Sequence, residues 1–194
     1  MNNYTVENWF PRPIYYADNL CTDNLAMFEK QIKNIVQDKG TKTTKFLGVQ
    51  STHLTECGLH LDPIFRPLCE TIGHHVFNFA TILGYDSKKS FNMTIGNMWA
   101  NISDQHGYNF PHTHPGSVIS GAFYVKTAPE NVIAFYDKYD VIELPEESTL
   151  YNGSPVSYNC VPGRMLLFKS DLIHGNPPQE SVGEKIVISF NMVF

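Results

Sequence analysis

From Phe91 onward the chain breaks into short runs of β-branched and aromatic residues, each closed by Gly, Pro, Asn or Asp. This texture suits many short antiparallel strands and little else. Strands are predicted at Asn92 to Ala100, Val118 to Lys126, Val132 to Tyr136, Arg164 to Phe168 and Lys185 to Val193. The connections are turn-rich, as in Ala128-Pro129-Glu130-Asn131 and Tyr151-Asn152-Gly153-Ser154-Pro155. About 100 residues of such closely spaced strands point to a jelly roll or barrel.

The first half has the other periodicity. Leu25, Phe28, Ile32, Ile35 and Val36 recur at helical spacing between Asp23 and Gln37, behind a cap expected at Thr22 or Asp23, and Gly40 follows the last turn. A second helix opens at Asp62-Pro63, a cap followed by proline at the first helical position. It carries Ile64, Phe65, Leu68, Ile72, Val76, Phe79 and Leu83 before Gly84 ends it. No repeat, low-complexity run or flexible linker divides the chain. The expected organisation is a single domain over 1–194, with a helical part (1–90) packed on a β core (91–194).

Composition excludes several classes. Hydrophobic residues make up 42% and aromatics 13%, against 17% charged, which is the balance of a folded chain rather than a disordered one. Nineteen acidic against fourteen basic residues give a net charge of −5, and no basic run exceeds the pair Lys88-Lys89. A phosphate-tracking surface has little to stand on, so no nucleic-acid partner is expected. No stretch reaches the roughly 20 apolar residues of a membrane helix, and Met1 to Glu7 lack a signal-peptide layout. A soluble cytoplasmic protein is expected, with a homodimer left open. Cys21, Cys57, Cys69 and Cys160 are scattered without a C-x-x-C pair and read as reduced, buried thiols.

Chemistry concentrates in Asn109-Phe110-Pro111-His112-Thr113-His114-Pro115-Gly116. On a strand, histidines at i and i+2 share one face with Cα atoms about 7 Å apart, so two ring nitrogens can converge on one ion at about 2.0–2.2 Å. His174 follows sixty residues after His114, behind the apolar run Met165-Leu166-Leu167-Phe168. A sheet folded back on itself brings it beside the pair. Lys185 stands eleven residues after His174, where alternation places Lys185, Val187, Ser189 and Asn191 on one face and Ile186, Ile188 and Phe190 on the other. A lysine on such a half-apolar, inward-looking strand needs an anion.

These segments resemble the iron(II)/2-oxoglutarate-dependent dioxygenases, and within them a bacterial and phage group of 2OG-Fe(II) oxygenases of about this length. The resemblance runs through Met98 to Asn101, Gly107 to Ser117, Ile119 to Val125, Pro162-Gly163, Leu166 to Phe168, His174 and Lys185 to Asn191, and is most specific from His112 to Val125. It implies a double-stranded β-helix, a cupin-like jelly roll, mainly β with N-terminal helices against one sheet. It also implies Fe(II) held by His112, His114 and His174, and 2-oxoglutarate as cosubstrate with Lys185 on its far carboxylate. Asn101, Asn109, Ser189 and Asn191 are the further candidate contacts to that cosubstrate. The implied reaction is hydroxylation of a small-molecule or protein substrate with release of succinate and CO2.

Three positions depart from the pattern. His114 stands where prolyl-hydroxylase-like relatives carry Asp, leaving the full +2 charge on the metal rather than +1. Lys185 replaces the usual Arg, exchanging a bidentate fork for a point charge. Val187 stands where many relatives place Ser. A halogenase-like reading, with Gly116 vacating the carboxylate position, stays open. So do a cupin-like three-His enzyme working without 2-oxoglutarate and a non-catalytic jelly-roll binding module. His106, beside Asp104, is the spare ligand; His53 and His60 have no partner at metal spacing, and His74 and His75, on the second helix, read as solvent-facing or partly packed. Trp99 and Tyr124 read as core.

Overall fold

The structure is a computed structural model that describes residues 10–39, 49–52, 58–137 and 155–194, together with residues 5, 7 and 147. The start of the chain, Gly40, His53, Cys57 and the turn at Tyr151 to Ser154 lie outside the described residues. Ten strands are described: β1 (Ile14–Ala17), β2 (Val49–Ser51), β3 (Thr94–Ser103), β4 (Asn109–His112), β5 (Ile119–Lys126), β6 (Val132–Tyr136), β7 (Val156–Asn159), β8 (Met165–Lys169), β9 (Ile173–Asn176) and β10 (Lys185–Val193). They form two antiparallel sheets, one of six strands in the order β1-β8-β5-β10-β3-β2 and one of four in the order β4-β9-β6-β7. The fold is the expected double-stranded β-helix.

The N-terminal part is less purely helical than its periodicity predicts, because β1 and β2 form the two edges of the large sheet, β1 on β8 and β2 on β3. Each is four residues or fewer. Their short length hides them from a period-2 search.

Helices α1 (Leu25–Lys39) and α2 (Arg66–Ile82) follow the expected pattern with shifted ends, and a short third helix, α3 (Ser87–Phe91), was not expected. The cap predicted at Thr22 or Asp23 is not made. A 3-10 turn over Thr22–Asn24 leads into α1, starting behind Cys21, which lies in the left-handed region at φ 49° with no side-chain cap. The α2 start is as predicted: Asp62 Oδ1 accepts from the Ile64 amide at 2.9 Å, Pro63 follows, and a 3-10 turn becomes the helix. Gly84, at φ 87°, closes it.

Two layers of apolar contact hold the elements together. Phe28, Ile32 and Ile35 of α1 and Leu68, Ile72, Val76 and Phe79 of α2 pack on Phe123, Leu167, Ile186, Ile188 and Phe190 on the outer face of the large sheet. Between the sheets lie Ala122, Tyr124, Phe135, Cys160, Leu166, Phe168 and Val187. The alternation in β5 and β10 is what serves both layers. Trp99 and Tyr124 are buried, as expected of core residues, whereas only Cys160 of the described cysteines is fully buried; Cys21 and Cys69 are partly exposed thiols. Glu29 and Glu184 each take an ion pair from Lys33 and Lys126, tying α1 to β5 and to the lead-in of β10. Among the described residues no helix is long and apolar enough to cross a membrane.

Phe123 is fully buried and meets Phe28 edge-on at 6.4 Å, where α1 sits on the sheet. Phe123→Ala should cost about 3–5 kcal/mol, read as a lower urea midpoint with an unchanged slope.

Candidate metal centre

His112 and His174 face each other as register partners on β4 and β9. A bulge sets this pairing: between Asn109↔Asn176 and His112↔His174, β4 spends Phe110 and Pro111 against the single residue Gly175. β4 is an edge strand, where a proline is tolerated, and the extra residue re-aims the side chain that follows. Gly175 is indispensable to the approach. A Cβ there would lie 2.8 Å from the Asn109 carbonyl oxygen and 3.0 Å from the Pro111 nitrogen, both backbone atoms that cannot step aside.

The i, i+2 alternation expected of His112 and His114 does not hold, because β4 ends at His112. His114 lies in the turn beyond it, its amide donating to the Ser170 carbonyl at 2.9 Å, with Gly116 at φ 84° completing the reversal. The three rings nonetheless converge, with centroids 5.0 Å apart for His112 and His114, 4.5 Å for His112 and His174, and 5.0 Å for His114 and His174. One nitrogen from each lies within 4.8 Å of the others. The Nε2 atoms of His114 and His174 are 3.1 Å apart, close to the roughly 3 Å that neighbouring nitrogens keep when each sits about 2.0–2.1 Å from a shared ion.

The donor set fits a divalent metal. His112 Nδ1 lies 2.7 Å from the Phe110 carbonyl and His174 Nδ1 lies 2.9 Å from the Leu172 carbonyl. Each ring therefore donates from Nδ1 to the carbonyl two residues upstream and keeps the Nε2 lone pair for the centre, the usual way a ligating histidine is oriented. Burial pushes His174 down from 6.5 to about 3, with His112 and His114 adding to the effect against the Leu172 hydrogen bond. Burial thus favours its neutral form, the form that a metal could take up.

Beside this centre is a small cleft open to solvent, lined by Asn101, Ser103, Tyr108, Asn109, Asn176 and Lys185 among others. Lys185 is 4% exposed, has no ion-pair partner among the described residues, and is pushed down by burial. A buried unpaired ammonium is costly. Asn109 Oδ1 is likewise buried without a partner. Asn101, Asn109 and Lys185 are thus brought to one pocket. Ser189 is not among its lining residues, and Asn191 sits instead at the histidines, 3.2 Å from His114 Nδ1. Ser103, Tyr108 and Asn176 were missed by sequence reasoning; only Asn176, two residues past His174, carried a signal in the alternation of β9. Arg164 is committed to Asp18 through a double hydrogen bond at 2.6 and 2.9 Å. His106 is exposed, in the left-handed region at φ 67°, away from the three-His group. His75 is bound to Tyr15 Oη at 2.7 Å, and His74 and His60 stay apart.

Residues 97–191 match the family model described as "Putative 2OG-Fe(II) oxygenase". This stretch, just under half of the chain, is similar to the 2OG-Fe(II) oxygenases. No curated protein matches it in sequence. Solved structures with the same fold include HygX from Streptomyces hygroscopicus, with nickel and 2-oxoglutarate bound (9% identity, 93% of this chain and 82% of that one, TM-score 0.65). A Pseudomonas putida prolyl-4-hydroxylase is also similar (10% identity, 93% and 92%, TM-score 0.60). So is the viral collagen prolyl hydroxylase of Paramecium Bursaria Chlorella virus-1, in its 2OG complex (11% identity, 92% and 94%, TM-score 0.59). The 2OG-Fe(II) oxygenase fold is shared across the chain, while the three-His set is read from this sequence.

Two outcomes test the centre. Gly175→Ala should push β4 off β9 and weaken zinc binding at least tenfold, as displaced ligands generally do, measured by competition with a chromophoric chelator. The second concerns acid. An unfolded histidine binds a proton below about 6.5 whereas folded His174 does not until about 3, so the unfolded state holds more protons across that window and stability falls as pH drops through it. Urea midpoints of the metal-free protein should decline from pH 6.5 downward, and less steeply in His174→Phe.

Proposed function

We propose that the chain hydroxylates a small-molecule or protein substrate in the cytoplasm, with His112, His114 and His174 holding Fe(II) and Lys185, Asn101 and Asn109 holding 2-oxoglutarate. The observation that carries this reading is the juxtaposition of three inward-facing imidazoles with a buried ammonium that has no counter-ion among the described residues. When bound, Fe(II) and 2-oxoglutarate would supply the oxidising chemistry with dioxygen as the oxidant, one oxygen atom going to the hydroxylated substrate and the other to succinate as 2-oxoglutarate loses CO2.

The chain's own residues do the orienting. Three neutral imidazoles add no charge, so the ion keeps +2 and attracts the keto-acid end of a dianion strongly. Lys185, itself buried, takes the far carboxylate as a point charge, and the interaction is correspondingly strong. Asn109, whose Oδ1 is buried without a partner, would add a hydrogen bond to the same group only through its Nδ2, since the oxygen can only accept. Val187, on the pocket wall, offers packing where a serine would offer a hydroxyl. Free thiols at Cys21, Cys69 and Cys160 accord with a reducing compartment. A binding module without chemistry would not need the convergent nitrogens, and a three-His enzyme without 2-oxoglutarate would not need Lys185.

Lys185→Ala should weaken 2-oxoglutarate by about 30-fold to several thousand-fold, from the roughly 2–5 kcal/mol that loss of one partner in a desolvated charge pair costs. Iron affinity should be unchanged. An anaerobic titration that follows the metal-to-ligand charge-transfer band measures both, and equal cosubstrate affinities would remove Lys185 from the site. His114→Asp should still bind iron, because the carboxylate restores the ligand set of relatives; complete loss of metal would show that the site demands three histidines.

A further inference from the structure

Asn191 closes a ring of hydrogen bonds around His114. Its Nδ2 lies 3.2 Å from His114 Nδ1 and donates to Asn97 Oδ1 at 2.9 Å, while its Oδ1 accepts from Ser120 Oγ at 2.7 Å. Ser120 Oγ meets Ser170 Oγ at 2.8 Å, and the Ser170 carbonyl holds the His114 amide. Asn191, Ser120 and Ser170 are all buried. Asn97 is brought opposite Asn191 just where the β10 register on β3 shifts.

The direction of these bonds has a chemical consequence. With Asn191 donating, His114 Nδ1 is an acceptor and the ring proton sits on Nε2, from which it donates to the His174 Nε2 lone pair. In that tautomer His114 has no lone pair for an ion. Binding through Nε2 requires the proton on Nδ1, where it would meet an amide hydrogen of Asn191, so two donors would oppose each other. Turning the Asn191 carboxamide by half a rotation removes the conflict. Oδ1 then accepts from His114 Nδ1–H and from the turned Asn97 amide, while Nδ2 donates to Ser120 Oγ, which donates to Ser170. Each group keeps a partner, and the backbone stays in place.

We propose that Asn191 is a positioning residue for His114, a carboxamide with two orientations that holds the Nε2–H tautomer without metal and the ligating Nδ1–H tautomer with it. This rests on the metal reading of the three histidines and adds to it a coupling between metal occupancy and amide orientation. Because an amide is neutral in both orientations, the coupling moves no net charge. That distinguishes it from a carboxylate partner, which would favour the ligating tautomer in both states.

The test uses the whole chain, 15N-labelled at histidine, with zinc as the probe. Long-range proton–nitrogen spectra should report Nε2–H at His114 in the metal-free protein and Nδ1–H in the zinc form, and the metal-free tautomer should move to Nδ1–H in Asn191→Asp, a response that a merely structural asparagine would not produce. Asn191→Leu should weaken zinc by about 10- to 100-fold. Asn191→Asp, an acceptor only, should stay within about threefold of wild type and show Nδ1–H without metal. If the leucine variant does not fold, Asn97→Ala takes its place, with a loss of several-fold expected. Wild type that fails to bind zinc overturns the metal reading and this inference together. Wild type that binds zinc, with Nδ1–H in both states or with the leucine or alanine variant undiminished, overturns this inference alone.

Discussion

β4 can reach hydrogen-bonding distance of β9 at its bulge only because Gly175 presents no side chain to the Asn109 carbonyl and the Pro111 nitrogen. That close contact places His112 across from His174 and sends the chain into the turn that carries His114. The large sheet contributes from the other side. β5 and β10 supply Ser120 and Asn191 behind His114, and β10 begins with Lys185 at the neighbouring pocket. The three histidines therefore come from the small sheet and its turn, and their supports from the large one, so the spacing between the sheets governs the cluster.

The centre and the pocket share one electrostatic condition. Three imidazoles bring no charge, and Lys185 brings a positive one that burial disfavours. Adding a divalent ion raises the positive charge further. Only an anionic partner relieves both, and a dicarboxylate with one end on the metal and one on Lys185 does so in a single molecule. With Asp in place of His114 the same site would need less anion. Metal and cosubstrate binding should accordingly be more tightly coupled here than in relatives with a carboxylate ligand.

The long, strongly patterned elements were legible in the sequence. β6 and β10 lie at their predicted bounds, and the Asp62-Pro63 start and Gly84 stop of α2 are as read. β1, β2, β4, β7 and β9 were not, because each has four residues or fewer and β4 holds a proline that argues against a strand. The three histidines were found by a rule that is wrong in detail: alternation along one strand does not orient His112 and His114, a bulge and a turn do. Asn191 was placed on the correct face, but hydrogen bonds to Ser120 and Asn97 turn it to His114, and such partners on other strands leave no trace in local spacing. Lys185 was legible because a lysine among inward-facing residues conflicts with its surroundings, and such conflicts mark binding sites.

β10 lies between β5 and β3 in the middle of the large sheet, yet it is synthesised after both. Until it inserts, β5 and β3 each expose an unpaired edge, and the apolar faces that will hold Phe190 and Ile188 stand open to the helices on one side only. Its contacts are long-range in sequence, the kind that form slowly and leave intermediates prone to self-association. The same strand carries Lys185 and Asn191. Closure of the sheet and completion of the pocket are thus a single event, and a nascent chain lacking β10 has neither the buried Lys185 nor the support behind His114.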